Sequence, residues 1–404
     1  MAADPFLGSL IRRVDEEGPV FALPDGTVGI FDPVLALEIE VANSKGLKLP
    51  GSLSSPGRDG GSADEVTWSE ARALLIQRSR QLSAPAHLKG LHARMRRVLL
   101  AESGRAQDFT PVVVRALSEA ILPLIIDGLH RRGAQKLAAE QRANFSRIWS
   151  PPATRPGLAR RVADVLREVG VGRAISRHLA RRAAGKEPAR DDYAQAIVPL
   201  VSRVGVTRAA YLVTTLLAAA ASPPGLVASC ILYELVRNAE WRERLRAELG
   251  ALEPGELSAA AGNAPATRRF IREAMRLWVF PLVAHRIAYR DLEVAGAAIR
   301  ARCPYDLSPY VMHHSERYWT DPERFDPDRW LATDALPASA AYVPFGFGPR
   351  SCVGALVGQA QLLLFCRLAT CEFDFELAGG AKPRIALEGF ALPADFRGTV
   401  RPRA

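Results

Sequence analysis

The ten residues Phe345-Gly346-Phe347-Gly348-Pro349-Arg350-Ser351-Cys352-Val353-Gly354 constrain this chain more than any other stretch. They place a cysteine on a glycine-rich loop just before a helix expected to begin near Ala355 and to run through Leu356, Gln359, Leu362 and Phe365. A helix N-terminus carries N–H groups without intrahelical acceptors and a partial positive charge, so a sulfur set there is stabilised as thiolate. Glycines at 346, 348 and 354 let the backbone approach a flat ligand and turn N–H groups toward the sulfur with no Cβ in the way. Phe345 is expected to close over the loop, and Arg350 brings a fixed cation to an anionic group on such a ligand. A buried cysteine after a tight turn is the commonest role of a lone cysteine. That role leaves the ordered Phe, Gly, Arg and Gly around this one unexplained.

The pattern Phe-x-x-Gly-x-Arg-x-Cys-x-Gly resembles the haem-ligand loop of the cytochrome P450 family, in which the cysteine thiolate is the proximal ligand of haem iron. Two further stretches carry the same resemblance. Glu273-Ala-Met-Arg276 sets opposite charges at i and i+3 on one helix face. Tyr318-Trp-Thr-Asp-Pro-Glu-Arg-Phe-Asp-Pro-Asp-Arg-Trp330 follows it. Together they are similar to the family's Glu-x-x-Arg helix and the arginine-bearing meander that locks it, here through Arg324 or Arg329. The resemblance implies a mainly α fold with small β-sheets, the triangular prism of the family, as one domain over residues 1–404. It implies haem b (iron protoporphyrin IX) as cofactor and Cys352 as the metal ligand. Ala220, Phe345, Gly346 and Gly354 would lie against the haem, and Arg286, Arg350, His92 and Arg96 would hold its propionates.

At 404 residues, 48% hydrophobic and 24% charged, the chain can bury a sizeable core. Its five cysteines show no CxxC or finger spacing, and the odd count argues against a disulfide framework and for a reducing compartment. Residues Met1 to Leu10 contain no apolar run suited to a signal peptide or a membrane span, which makes a soluble, cytoplasmic protein the expectation. The net charge of +10 is spread through arginine-rich helices such as 159–190, with no nucleic-acid-binding spacing beside it. An acidic electron-transfer partner suits that surface, and the resemblance implies ferredoxin with its reductase.

Val20–Leu23 and Val28–Phe31 around Pro24-Asp-Gly read as a hairpin, with a helix from Pro33 to about Asn43 and a long loop over Gly46–Gly61. Helical periodicity marks 71–80, 87–102, 111–129, 135–149, 158–170 and 173–184. An apolar helix is expected from Asp191 to about Ala221, then Val227–Asn238 and Thr267–Leu277, with a small sheet around Leu292 to Pro309. Apolar residues such as Leu217, Ala220 and Ala284 suit a mid-sized, largely apolar small-molecule substrate.

One departure from the family matters for chemistry. Its central helix carries an acid and an alcohol that relay protons when the O–O bond of dioxygen is cleaved. Counting back from Leu232-Tyr-Glu-Leu-Val-Arg-Asn238, those positions are Ser222 and Pro223, and Thr214 and Thr215 lie two turns too early to replace them. Proline in a helix interior removes a donor and pushes away the carbonyl four residues back, so a kink is expected there. Three readings follow. The first is a monooxygenase oxidising a substrate of specialised metabolism, with Ser222, water or the substrate conducting protons. The second is a peroxygenase or a non-oxygenating haem-thiolate enzyme (isomerase, dehydratase, oxidative coupling). The third is a catalytically silent haem-binding partner protein.

Overall fold

A computed structural model describes residues 5–44, 47, 66–148, 157–331, 341–387 and 389–403. The loop expected over Gly46–Gly61 lies, apart from Leu47, outside the described residues. In chain order the helices are α1 (Pro5–Glu17), α2 (Pro33–Ser44), α3 (Trp68–Leu82), α4 (Pro85–Ala101), α5 (Phe109–Ile125), α6 (Arg131–Ile148) and α7 (Leu158–Ala183). They continue with α8 (Tyr193–Ile197), α9 (Val201–Val204), α10 (Val206–Ala221), α11 (Pro223–Arg237), α12 (Ala239–Gly250), α13 (Pro265–Leu277), α14 (Pro309–His314) and α15 (Ala355–Arg367). The chain forms two compact units, one of residues 1–47, 85–116 and 225–404 and the other of residues 48–84 and 117–224.

The first unit contains the small sheets. β1 (Val20–Ala22) and β2 (Val28–Ile30) form the expected hairpin, and β2 runs parallel to β7 (Pro304–Leu307), which pairs antiparallel with β4 (Ala284–Ile287). That register sets Arg286 opposite Tyr305. β5 (Leu292–Val294) and β6 (Ala297–Ile299) form a separate hairpin. β3 (Ala106–Asp108), β11 (Arg397–Pro402) and β8 (Phe373–Leu377) make a third sheet, and β9 (Arg384–Leu387) pairs with β10 (Ala391–Ala394). Helix α2 starts at Pro33 because the Asp32 carboxylate accepts the N–H groups of Val34 and Leu35 at 2.9 and 3.0 Å. Ala36 and Ile39 then pack on the sheet with Ile30, Leu307, Met312 and Phe347, so the cysteine loop is anchored in the same core as the strands.

Behind that loop lies the charge network read from the sequence, with Glu273 and Arg276 both fully buried. Arg276 donates to Glu273 from Nε (3.0 Å) and Nη2 (2.9 Å), and to the carbonyls of His313 (2.8 Å) and Arg324 (3.2 Å). The meander cation is Arg329, whose Nε donates to Glu273 at 2.9 Å, while Arg324 supplies a backbone carbonyl. The Trp330 indole (3.1 Å) and the Asp326 N–H (3.0 Å) complete the shell around the carboxylate. His313 bridges onward, with its Nδ1 2.9 Å from the Arg276 carbonyl and its Nε2 accepting the Val343 N–H at 2.9 Å, two residues before Phe345. Burial holds the His313 imidazole at about 3, far below its ordinary value, so it stays neutral and keeps both contacts.

In the second unit, Arg182 and Asp192 form a buried ion pair at 2.7 Å. The Asp192 carboxylate also accepts the N–H groups of Asp127 (2.8 Å) and Gln195 (2.9 Å). Two expectations fail here for backbone reasons. The helices expected at 158–170 and 173–184 are one, α7, because Gly170 and Gly172 cost only about 1 kcal/mol each in a helix that tertiary packing supports. The single helix expected from Asp191 to Ala221 is instead α8, a 3-10 turn over Val198–Leu200, α9 and α10. Pro199 removes one donor, and Gly205 takes a left-handed φ of 78° that ends α9.

Two predictions follow from the first unit. Glu273→Ala leaves the Arg276 guanidinium buried without its carboxylate and is expected to cost about 3–5 kcal/mol, read from the urea midpoint. Glu234, on α11, accepts from the Trp278 indole at 3.0 Å, and burial raises its carboxyl from 4.5 to about 7. The stability tied to Glu234 is therefore fully present below about pH 4.5 and lost as pH rises through about 7. Glu234→Gln should raise stability by about 2–3 kcal/mol at alkaline pH and leave it unchanged in acid. An equal effect at both would contradict the assignment.

Candidate functional site

Cys352 sits exposed on its loop, immediately before α15. The loop is closed by its own backbone: the Cys352 N–H donates to the Phe345 carbonyl at 2.8 Å, Arg350 to Phe347 at 3.0 Å and Ser351 to Gly348 at 3.1 Å. Those three N–H groups are thereby engaged, which leaves the first turn of α15 as the source of positive potential for the sulfur. Gly348 has a φ of 43°, and a Cβ there would lie 2.9 Å from the Leu37 side chain on α2. The positive φ favours glycine there, whereas the Leu37 tip, 44% exposed, can move aside. A Cβ on Gly354 would lie 3.8 Å from the Cys352 sulfur. The ring that pins the loop is Phe347, 3% exposed, whereas Phe345 is half-buried and contributes its carbonyl.

A cluster of polar side chains lies beside the loop. Arg286 projects from β4 and donates through Nε to Glu40 of α2 at 3.0 Å, and Arg350 Nη1 is 3.9 Å from the other oxygen of the same carboxylate. Glu40 is fully buried and also accepts from the Tyr305 hydroxyl at 2.6 Å. Burial, reinforced by the hydrogen bond to Glu40, pushes the Tyr305 phenol well above its ordinary value, so it remains a donor. Asn43, one turn after Glu40, donates to the Tyr305 oxygen and to the Ile287 carbonyl, both at 2.9 Å, and accepts the Tyr289 N–H at 2.9 Å. Arg350 Nη2 reaches the Tyr289 hydroxyl at 3.4 Å, but its Nη1 is buried with no hydrogen-bond partner. A buried guanidinium nitrogen in that state has capacity for an anionic acceptor next to the cysteine loop.

Arg286, Arg350, Cys352, Phe345, Gly346 and Gly354 are accordingly on or beside one loop. His92 and Arg96 are not. Both side chains of α4 close on Glu372, His92 Nε2 at 2.8 Å and Arg96 Nε at 3.0 Å. Glu372 lies five residues beyond the end of α15. His92 and Arg96 share one face of α4, as their spacing implies, and both side chains meet Glu372 past the end of α15. Ala220 is near the end of α10, and Ser222 is the single residue between α10 and α11. Pro223 and Pro224 open α11 instead of lying inside a helix, so the expected kink is a break between two helices. A serine followed by proline is what a helix start accepts, because the first turn has no intrahelical use for its N–H groups. Neither proline can donate to the carbonyls of Ala219 and Ala220, as read from the sequence. Thr214 and Thr215 donate back to the carbonyls of Ala210 and Tyr211, both at 3.0 Å.

Sequence reasoning missed Glu40, Asn43 and Tyr305. Glu40 and Asn43 lie one helical turn apart inside an otherwise apolar face of α2, which is the only signal that could have marked them. Among the described residues no group of three or more His, Cys, Asp or Glu could hold a metal ion. A lone cysteine sulfur at a helix N-terminus suits a metal that brings its other ligands with it, as a porphyrin iron does.

Comparison with known proteins agrees with this geometry. The family model described as Cytochrome P450 matches residues 202–395, a span that includes Ser222, Glu273, Arg286 and Cys352 and leaves out His92 and Arg96. A cytochrome P450 monooxygenase of Gibberella zeae is 36% identical over 34% of this chain and 32% of its own length. The mitochondrial cholesterol side-chain cleavage enzyme of Macaca fascicularis is 28% identical over 38% of this chain and 30% of its own. The matched region thus spans about a third of these curated relatives. In fold, the chain is similar to the cytochrome P450DA heme domain (TM-score 0.70, 20% identity, covering 100% of this chain and 94% of that one). It is also similar to a zebra fish cytochrome P450 (TM-score 0.74, 18% identity, 99% of each). With the cysteine loop, the Glu273–Arg276–Arg329 network and the mainly helical fold all present, residues 202–395 match the cytochrome P450 family and the chain as a whole has that family's fold.

Proposed function

We propose that this protein is a haem-thiolate oxidoreductase of the monooxygenase type, acting on a mid-sized, largely apolar small molecule. The observation that carries the reading is Cys352, exposed at the start of α15, beside the Arg350 guanidinium whose buried Nη1 has no hydrogen-bond partner. Haem b, the cofactor of the family, supplies the one-electron and oxygen chemistry when bound. Cys352 would hold it through sulfur, with the first turn of α15 favouring the thiolate over the thiol. Arg286 and Arg350 would hold the porphyrin carboxylates through charge-assisted hydrogen bonds. Gly346 and Gly354 would leave room for the macrocycle edge near the loop.

Several features support the finer reading. Relatives are named for cholesterol and for 25-hydroxyvitamin D, which are apolar ring compounds of moderate size. Specialised metabolism is our proposal from the resemblance to soluble members of the family, a ferredoxin with its reductase from that resemblance and the net charge of +10, and a cytoplasmic site of action from the five free cysteines. By length and composition the stretch Val206–Arg237 could cross a membrane, with a mean hydropathy of 1.6. However, 53% of its most apolar 18-residue window is buried, as in a core helix.

Ser222 and Pro223 favour a second reading. Neither supplies the carboxyl or hydroxyl pair that would move protons efficiently, so a proton would pass through the Ser222 hydroxyl, water or a polar group on the substrate. A peroxygenase, or a haem-thiolate enzyme catalysing isomerisation, dehydration or oxidative coupling, has no need of that relay.

Reduced protein under carbon monoxide should show the red-shifted Soret band of a thiolate-ligated haem, and Cys352→Ser should abolish it. Retention of the band in the serine variant would overturn the assignment. Ser222→Asp with Pro223→Thr is expected to raise oxygen-dependent turnover by about tenfold or more and to reduce peroxide release, since a positioned proton donor contributes ~10²–10⁴-fold. Unchanged turnover, together with efficient use of hydrogen peroxide by the wild type, would select the peroxygenase reading.

A further inference from the structure

Glu40 has no place in the mechanism above, although it is a fully buried carboxylate in contact with the arginine assigned to a haem carboxylate. A buried carboxylate is costly unless cations and hydrogen-bond donors surround it. Here Arg286 Nε (3.0 Å), the Tyr305 hydroxyl (2.6 Å) and Arg350 Nη1 (3.9 Å) surround it, and Asn43 fixes Tyr305 in turn. Arg286 gives Glu40 its Nε edge and the His285 carbonyl one terminal nitrogen at 3.1 Å. Arg350 is drawn toward Glu40 without reaching hydrogen-bond distance. The carboxylate therefore orients both guanidiniums while leaving Arg350 with donor capacity. Its own charge stays close to whatever they bind, in surroundings of low dielectric.

We propose that Glu40 is a positioning residue for the haem site: it aims Arg286 and Arg350 at the porphyrin carboxylates, and its buried negative charge lowers the reduction potential of the iron. The physical basis is electrostatic. Reduction adds one electron to the centre, and a fixed anion nearby opposes that addition. Two guanidiniums would face two porphyrin carboxylates and Glu40, so the carboxylates outnumber the cations by one. The Tyr305 hydroxyl, a donor at 2.6 Å, partly offsets the Glu40 charge.

This inference rests on the haem-thiolate reading, and the test separates the two. The reduction potential of the haem-loaded protein is measured by spectroelectrochemical titration for the wild type, Glu40→Gln and Tyr305→Phe. Glutamine keeps an acceptor for Arg286 and removes the charge, so the potential should shift positive. Phenylalanine removes a donor from the carboxylate, so the potential should shift negative. Opposite signs distinguish a charge effect from general loosening of the site, which would move both variants alike. If Glu40→Gln fails to fold, the negative shift in Tyr305→Phe still carries the test. A wild type with the thiolate Soret band, together with an unchanged potential in either variant or shifts of one sign in both, overturns the role of Glu40. A wild type that lacks the band overturns the haem-thiolate reading itself, and this inference with it.

Discussion

The carboxylate of Glu273 is the point through which the first unit is held in register. It receives two donors from Arg276, one each from Arg329 and Trp330, and the Asp326 N–H, so five hydrogen bonds converge on one buried anion. A single buried ion pair contributes little net stability, because desolvation offsets the attraction. A fully satisfied network differs in kind: each member is tolerable only while the others remain, so the network fixes a geometry even where its net energy is modest. Through Arg276 and His313 that geometry passes to Val343, and from there into the loop that carries Cys352.

The cysteine loop is held from both sides. Its own backbone hydrogen bonds set the turn, Phe347 seats it in the core shared by α2 and the four-stranded sheet, and Gly348 supplies the positive φ within it. The same helix carries Glu40 and Asn43 to Arg286, Arg350 and Tyr305. Scaffold and site are therefore not separate layers. The strand register that sets Arg286 opposite Tyr305 also brings both to the Glu40 carboxylate.

The break at Ser222 has a local cause. Two consecutive prolines cannot donate backbone N–H groups, so α10 ends and α11 begins afresh. Gly225, next in sequence, lets α11 approach α5 closely enough that a Cβ there would lie 2.5 Å from the Val114 Cα. Pro223 and Pro224 thus suit a helix start, and Gly225 a close helix contact.

How much was legible from sequence varies with the range of the interaction involved. Local patterns sufficed for the Cys352 loop, the Glu273–Arg276 pair, the hairpin before α2 and the helix α15, because each depends on residues within a few positions of one another. Identity alone also determined that Pro223 and Pro224 lack donors. Tertiary structure decided the rest. It chose Arg329 over Arg324 as the cation on Glu273, and it turned His92 and Arg96 to Glu372, more than 270 residues away in sequence. It also assembled Glu40, Arg286, Tyr305 and Arg350 from an N-terminal helix, two strands and the cysteine loop. A helical face or a strand position names the side of an element on which a charge lies. Which partner it meets there depends on how distant segments pack, and no local spacing encodes that.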